Sequence, residues 1–342
     1  MSSHSTLFSE EEPQLTFQKL GAGSFATVFV RSGTRTAYKE VQRSDDHQVL
    51  RAEYDALEKI YTLCNTDSFF QLPCALGFYE PESQSYATHI SSPPTTSRRR
   101  PSRPAIKRQT FRSFDRAVYA MERIFHLPDQ MSSEIALNFY PTGQQSQPGP
   151  RLCRLYLGKD LDRPSRFFNS ANFPLDVARY ETLCQSGDLS PVGDVAYGMG
   201  EMIGRIHWRG GFDARDIEFV IGGDGFDEVS YFVIDFNQVS YFFYLLRISC
   251  LNVSVLLFQM RTWSKTLADV TTLVEAHYNN DPYFPRARPN DPLYKEFKHG
   301  YMSAYPLYPD SRAIANAFLD AIEVEQTRRD ATGDATGGTE IA

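Results

Sequence analysis

Cysteine is scarce: the 342 residues carry five, at 64, 74, 153, 184 and 250, with no C-x-x-C pair and no His or Cys pair at zinc-ligand spacing. This excludes a disulfide-built scaffold, gives a structural zinc no footing and leaves reduced thiols as the simplest reading. Basic charge is not in excess either. The 35 Lys and Arg face 42 Asp and Glu, a formal charge of −7, which argues against a dominant nucleic-acid surface and for small molecules or proteins as partners. The N-terminal MSSHSTLFSEEEPQ lacks a basic stretch followed by an apolar one, so no secretory signal is read there and a cytoplasmic or nuclear location is expected. Long apolar runs are also missing, apart from one at residues 239–258.

What is present is a globular composition, 42% hydrophobic and 23% charged, in a chain long enough for two domains or one two-lobed domain. After a polar arm over 1–14, Phe17 to Leu20 and Thr27 to Val30 read as strands around Gly21-Ala22-Gly23-Ser24-Phe25-Ala26. Small residues in such a hairpin let backbone N–H groups approach a polyphosphate; a glycine hairpin with no ligand is the alternative. Ala37 to Val41 reads as a third strand carrying Lys39. Leu50, Glu53, Tyr54, Leu57, Ile60 and Tyr61 then recur at helical spacing, which sets Glu53 on or beside a buried stripe. A carboxylate there needs a cation, and Lys39 is the nearest candidate upstream; two solvated surface charges are the alternative.

Phe70 to Tyr79 and Ala117 to Ile124 read as further strands, separated by a Ser-, Pro- and Arg-rich stretch, 89–113, whose composition predicts disorder. Residues 140–150 form a second Gln-, Gly- and Pro-rich stretch expected to be flexible. Beyond it the pattern predicts a strand over Leu152 to Leu157, a short helix over Pro174 to Leu183 and a longer one over Val192 to Trp208. That helix delivers the chain to HWRGGFDARDIEFVIGGDGFDEVSYFVIDFN, residues 207–237. There the chain turns at Asp213, runs along Phe219-Val220-Ile221, turns back through Gly222 to Gly225 and returns along Tyr231 to Ile234, stopping at Asp235. Two carboxylates thus stand at the mouths of two hairpin-paired strands, although either aspartate alone would also serve as a turn or cap residue. Helices are further expected over Thr262 to His277, Leu293 to Tyr305 and Ser311 to Glu325, with a disordered tail over 326–342.

The order of these motifs resembles the protein-kinase-like fold across roughly residues 15–325. HWRGGFDARDIEFVIGG, VIDFNQ and NDPYFPR resemble, in addition, a fungal family of unknown function often labelled zinc-finger-protein-like. The first resemblance implies a two-lobed α+β fold, with a small β-rich N-lobe over 15–127 and a mainly helical C-lobe over 128–325. It also implies ATP and Mg2+ as cofactors. Gly21 and Gly23 match the first two glycines of the phosphate loop, Lys39 the phosphate-holding lysine and Glu53 its helix partner. Asp213 matches the catalytic aspartate and Asp235 the magnesium-binding one. All four of Gly21, Lys39, Asp213 and Asp235 are then expected to face one cleft. Departures are visible. Ala26 stands for the third glycine, Gly211-Phe212 for His-Arg and Asn237 for glycine, while Glu218 takes the place of a metal-binding asparagine and would itself ligate magnesium through oxygen. Two functions follow, an atypical or small-molecule phosphotransferase and a pseudokinase-type binding module.

The apolar run after Asn237, VSYFFYLLRISCLNVSVLLF, is of membrane-spanning length, but a span there would begin a few residues after a metal ligand inside a folded lobe. Its residues fit a retained intron over 239–259. Val-Ser matches a splice-donor codon pair, Phe258-Gln259 a pyrimidine-rich acceptor, and Leu- and Phe-rich translation the tract between them. A genuine buried insertion is the alternative.

Overall fold

A computed structural model describes residues 16–88, 106–161, 172–185, 189–236, 265–280, 282–305 and 309–332. The segment over 239–259 lies outside these described residues, as do 1–14 and most of 89–113. The fold is mixed α+β, and the chain divides into two compact units: residues 1–47 with 76–121, and 48–75 with 122–342.

The first unit is built on a sheet of β1 (Phe17–Ala22), β2 (Ala26–Arg31), β3 (Thr36–Val41), β4 (Ala75–Glu80), β5 (Ser85–Thr88) and β6 (Val118–Glu122), in the order β1-β2-β3-β6-β4-β5. β1, β2 and β3 are successive antiparallel hairpins. Their side chains feed a cluster of Tyr38, Val118 and Ala120 against Phe17, Phe29 and Tyr79, closed by Phe111 and Phe114. Phe17 meets Tyr38 edge-on at 5.0 Å and Phe114 stacks on Tyr38 at 5.4 Å. Such pairs add about 0.5–1.5 kcal/mol each beyond the burial itself. Here the structure departs from expectation. Residues 108–113, at the end of the stretch expected to be disordered, form a short 3-10 turn that puts Phe111 at 0% exposure. Two phenylalanines three residues apart outweigh the basic composition around them.

The second unit contains most of α1 (His47–Cys64), expected with the sheet. Its attachment has a physical cause. Arg205 donates to the carbonyls of Cys64 (2.9 Å), Thr66 and Asp67 (3.2 Å), and pairs with Glu201 at 2.6 Å. Glu201 in turn accepts from the Phe69 N–H at 3.3 Å. The buried stripe of α1 is the expected one, Leu50, Glu53, Tyr54, Leu57 and Ile60, continued by Cys64 rather than Tyr61. Of the strand expected from Phe70, only Ala75 onward joins the first sheet; Gln71 instead bonds the strand Val229–Ile234 through Tyr231 and Val233.

That strand, β10, belongs to a four-stranded sheet with β7 (Leu152–Tyr156), β8 (Asn172–Asp176) and β9 (Glu218–Gly223), in the order β10-β9-β7-β8. β8 runs parallel to β7, so Pro174 to Asp176, expected as helix, is strand. An edge strand tolerates the proline, and Asp176 then caps α3 (Val177–Cys184) by accepting from the Arg179 N–H at 3.0 Å. α2 (Asp129–Phe139) has no counterpart among the expected elements. The stretch after it is tied by turn bonds, with Tyr140 and Pro150 buried.

α4 (Val192–Arg205) and α6 (Pro292–Ala304) cross at glycines. A Cβ at Gly200 would run onto the Phe297 carbonyl, and one at Gly300 onto the Tyr197 carbonyl, so only hydrogen lets the backbones approach this closely. α5 (Val270–Asn279) begins later than expected, after a capping box of Thr266 and Asp269. α7 (Pro309–Thr332) runs past the expected end at Glu325. Asp330 takes both guanidinium bonds of Arg288 at 2.8 Å, and the Arg329 guanidinium lies 4.3 Å from the Tyr278 ring. Among the described residues no helix is long and apolar enough to cross a membrane.

Candidate functional site

The expected site residues fall into both units, and each set has its own geometry. In the first unit, Gly23 closes the β1–β2 turn by donating to the Ala26 carbonyl at 3.0 Å, while Gln42 donates to the Gly23 carbonyl at 2.7 Å. Neither Gly21 nor Gly23 has a left-handed backbone, and a Cβ on either would meet nothing within 4 Å. Their own fold therefore does not require glycine; what it leaves is open backbone. Lys39, half-buried on β3, holds its ammonium 5.9 Å from the Phe25 ring at the hairpin tip.

The second unit holds Glu53, Asp213, Glu218 and Asp235. Glu53 is 1% exposed on the buried stripe of α1. Asp213 is reached through α4 and a π-turn over Ile206–Gly210, which Gly211 ends in the left-handed region at φ 75° while donating to the Ile206 carbonyl. The next residues alternate sharply: Ala214 at φ 56° and Asp216 at φ 59° are left-handed, so the loop puckers around Asp213. A left-handed alanine costs about 1–2 kcal/mol and has no side-chain group to offset it. Asp213 itself is 2% exposed and accepts from the Arg215 N–H at 3.3 Å in an Asx turn.

The β9–β10 hairpin fixes the other carboxylates. Its register pairs Glu218 with Ile234, so Asp235, the next residue, leaves the sheet at the end where the Asp213 loop enters it. At the far end Gly225, at φ 92°, makes the turn and Asp224 accepts from the Phe226 N–H at 2.7 Å. Asp235 is half-buried and left-handed at φ 63°, with Phe236 buried behind it. Three of the six left-handed non-glycine residues among those described, Ala214, Asp216 and Asp235, thus cluster at one hairpin mouth, the kind of strain that persists where surrounding structure over-determines it.

Glu218, expected as a second metal ligand, has a partner of its own, Arg154 on β7 at 2.5 Å. Burial alone would disfavour the Arg154 cation, but the Glu218 carboxylate beside it reverses the balance and raises its pKa. Reaching a metal would mean giving up this pair. Among the described residues no three His, Cys, Asp or Glu side chains gather as they would around a metal ion. Magnesium needs no such cage, because it keeps several waters and takes one or two carboxylates plus phosphate oxygens.

Three residues of the site were given no individual role from the sequence. His207, 2% exposed, bonds the Tyr301 hydroxyl at 3.0 Å and the Asp213 backbone; burial holds its pKa down at about 3, so the ring under Asp213 is neutral. Arg154 reads as an ordinary strand residue. Asn280, the first residue of the NDPYFPR segment, is buried at the end of α5 and bonds the loop twice: its Oδ1 accepts from the Asp216 N–H and its Nδ2 donates to the Ala214 carbonyl at 3.0 Å. No family model matches the chain, and no curated protein matches it.

Proposed function

We propose that the protein is a two-lobed, kinase-like nucleotide-binding protein, acting as an atypical phosphotransferase that moves a phosphoryl group from ATP to an acceptor hydroxyl. The observation that carries this reading is the hairpin mouth, where Asp213, in a loop held by buried polar groups, and Asp235 stand at one end of β9–β10. The open backbone at Gly21 and Gly23 and the lysine on β3 support it from the first unit, as groups suited to phosphate oxygens.

In this reading Asp213 accepts the proton of the acceptor hydroxyl. The acceptor oxygen bonds the γ-phosphorus, the bond from that phosphorus to the β,γ-bridging oxygen breaks, and the electron pair leaves with ADP. His207, buried and neutral, adds no positive charge of its own beside Asp213, and Lys39 offsets phosphate charge. Asp235 would hold Mg2+, which when bound neutralises charge on the phosphate oxygens.

A second reading, a kinase-like binding module without turnover, is favoured by the Arg154–Glu218 pair, which occupies the residue expected to complete the metal site. Calorimetry with Mg2+ and a non-hydrolysable ATP analogue, on the full chain and on one lacking 239–259, tests both. Saturable binding that weakens at least tenfold in Lys39→Met, and loses its Mg2+ dependence in Asp235→Asn, supports nucleotide binding. Absence of binding in both chains sinks it. Binding without ADP release from Mg2+–ATP selects the second reading.

A further inference from the structure

We propose that Asn280 is a positioning residue for the Asp213 loop, a role that rests on the phosphotransfer reading above. Two backbone groups of the loop, the Asp216 N–H and the Ala214 carbonyl, bond Asn280, and they belong to the two left-handed residues. One amide side chain meets both, since the carboxamide presents an acceptor and a donor from a single planar group. Aspartate at the same position would keep the acceptor but set a carboxylate oxygen against the Ala214 carbonyl. Apolar residues would take this partner from the buried Ala214 carbonyl and the half-buried Asp216 N–H, which costs more than a lost contact at the surface.

The clamp is rigid at its other end. The Asn280 N–H donates to the Ala276 carbonyl at 3.2 Å, closing the last turn of α5, and the next described residues, Pro282 and Tyr283, give their carbonyls to the N–H groups of Gly158 and Leu157 just beyond β7. The amide is therefore fixed by a helix on one side and a sheet on the other, and the loop between Asp213 and β9 takes its pucker from that fixed point. Asn280 acts through the backbone one and three residues beyond Asp213, on either side of Arg215, whose N–H the Asp213 carboxylate accepts. Its loss should leave nucleotide affinity alone and disturb only the step that needs Asp213 at the right angle.

The test uses the full chain and reads three quantities: affinity for Mg2+–ATP, kcat for ADP release with water as acceptor, and hydrogen exchange at the Asp216 amide. Asn280→Ala is expected to lower kcat at least tenfold with affinity unchanged within twofold, and to make the Asp216 amide exchange at least tenfold faster. Asn280→Asp is expected to keep that amide protected, because a carboxylate still accepts from it, while kcat falls through the lost bond to Ala214. Wild-type kcat in Asn280→Ala, or kcat and affinity falling together, overturns the positioning role while the phosphotransfer reading stands. A wild-type chain that releases no ADP removes the reading and the role with it, and exchange at Asp216 then tells whether the clamp exists as a structural feature. Should Asn280→Ala fail to fold, Asn280→Asp decides, since wild-type kcat in that variant overturns the proposal.

Discussion

The two units solve burial in opposite ways. In the first, the described core is rings and aliphatic side chains, Tyr38, Phe111, Phe114, Val118 and Ala120, and the polar groups stay at the surface or half-buried. In the second, Glu53, Asn65, Asp176, Arg205, His207, Asp213, Asn280 and Gln326 are buried, and these are all the buried polar or charged side chains among the described residues. A sheet with one apolar face needs no buried charge. A unit that bends its backbone into left-handed loops and ends several helices inside itself must satisfy groups that secondary structure leaves over, and it does so with side chains. The difference predicts that the two units break in different ways.

The largest contrast should come from removing the keystone of each. Arg205→Met strands Glu201 and three carbonyls in the second unit and is expected to cost about 3–5 kcal/mol. Phe111→Ala opens a cavity in the aromatic cluster of the first unit at a similar cost, about 3–5 kcal/mol. Urea unfolding followed by hydrogen exchange resolved by peptide should show each variant loosening its own unit first. Uniform loosening in both variants would dissolve the comparison.

Acid should separate the units next. His207 has a folded pKa of about 3, held down by burial, against about 6.5 in the unfolded chain, so the unfolded state binds the proton first. Its contribution is fully present above pH 6.5 and declines as pH falls toward 3, by about 2 kcal/mol between pH 6.5 and 5. His277, stacked on Phe284 at 4.8 Å with its Nδ1 enclosed, is held down by burial in the same direction. The described first unit has one histidine, His47, which lies near Glu80 at the surface. Exchange protection in the second unit is expected to fall between pH 7 and 5 while that of the first unit holds. Equal loss in both would contradict the assignment.

The smallest effect sharpens the comparison through a single methyl group. Gly200→Ala pushes a Cβ onto the Phe297 carbonyl and is expected to cost about 1–3 kcal/mol, because two helix backbones must separate. Gly21→Ala meets open space and should change stability by less than about 0.5 kcal/mol. If Gly21→Ala nonetheless weakens nucleotide binding severalfold, the open backbone of that hairpin serves a ligand rather than the fold. Thermal melts of both variants, read beside the calorimetric titration, decide this.

Local chemistry determined what the sequence shows by itself. Turn residues between two apolar runs specify the β9–β10 hairpin, although Gly222 and Gly223, read as part of the turn, extend β9 and the chain turns from Asp224 to Glu228; Glu218 and Asp235 then fall at the open end. Helical spacing likewise identified Glu53 on the buried stripe of α1. Tertiary structure decided the rest. Glu218 meets Arg154 from a strand more than sixty residues earlier, Asn280 reaches Asp216 across a separation of 64, and Arg205 draws the end of α1 into the second unit across a separation of 141. Pairings of this kind leave no periodicity and no turn signal behind, because each depends on which unsatisfied backbone group or charge the folded chain brings alongside.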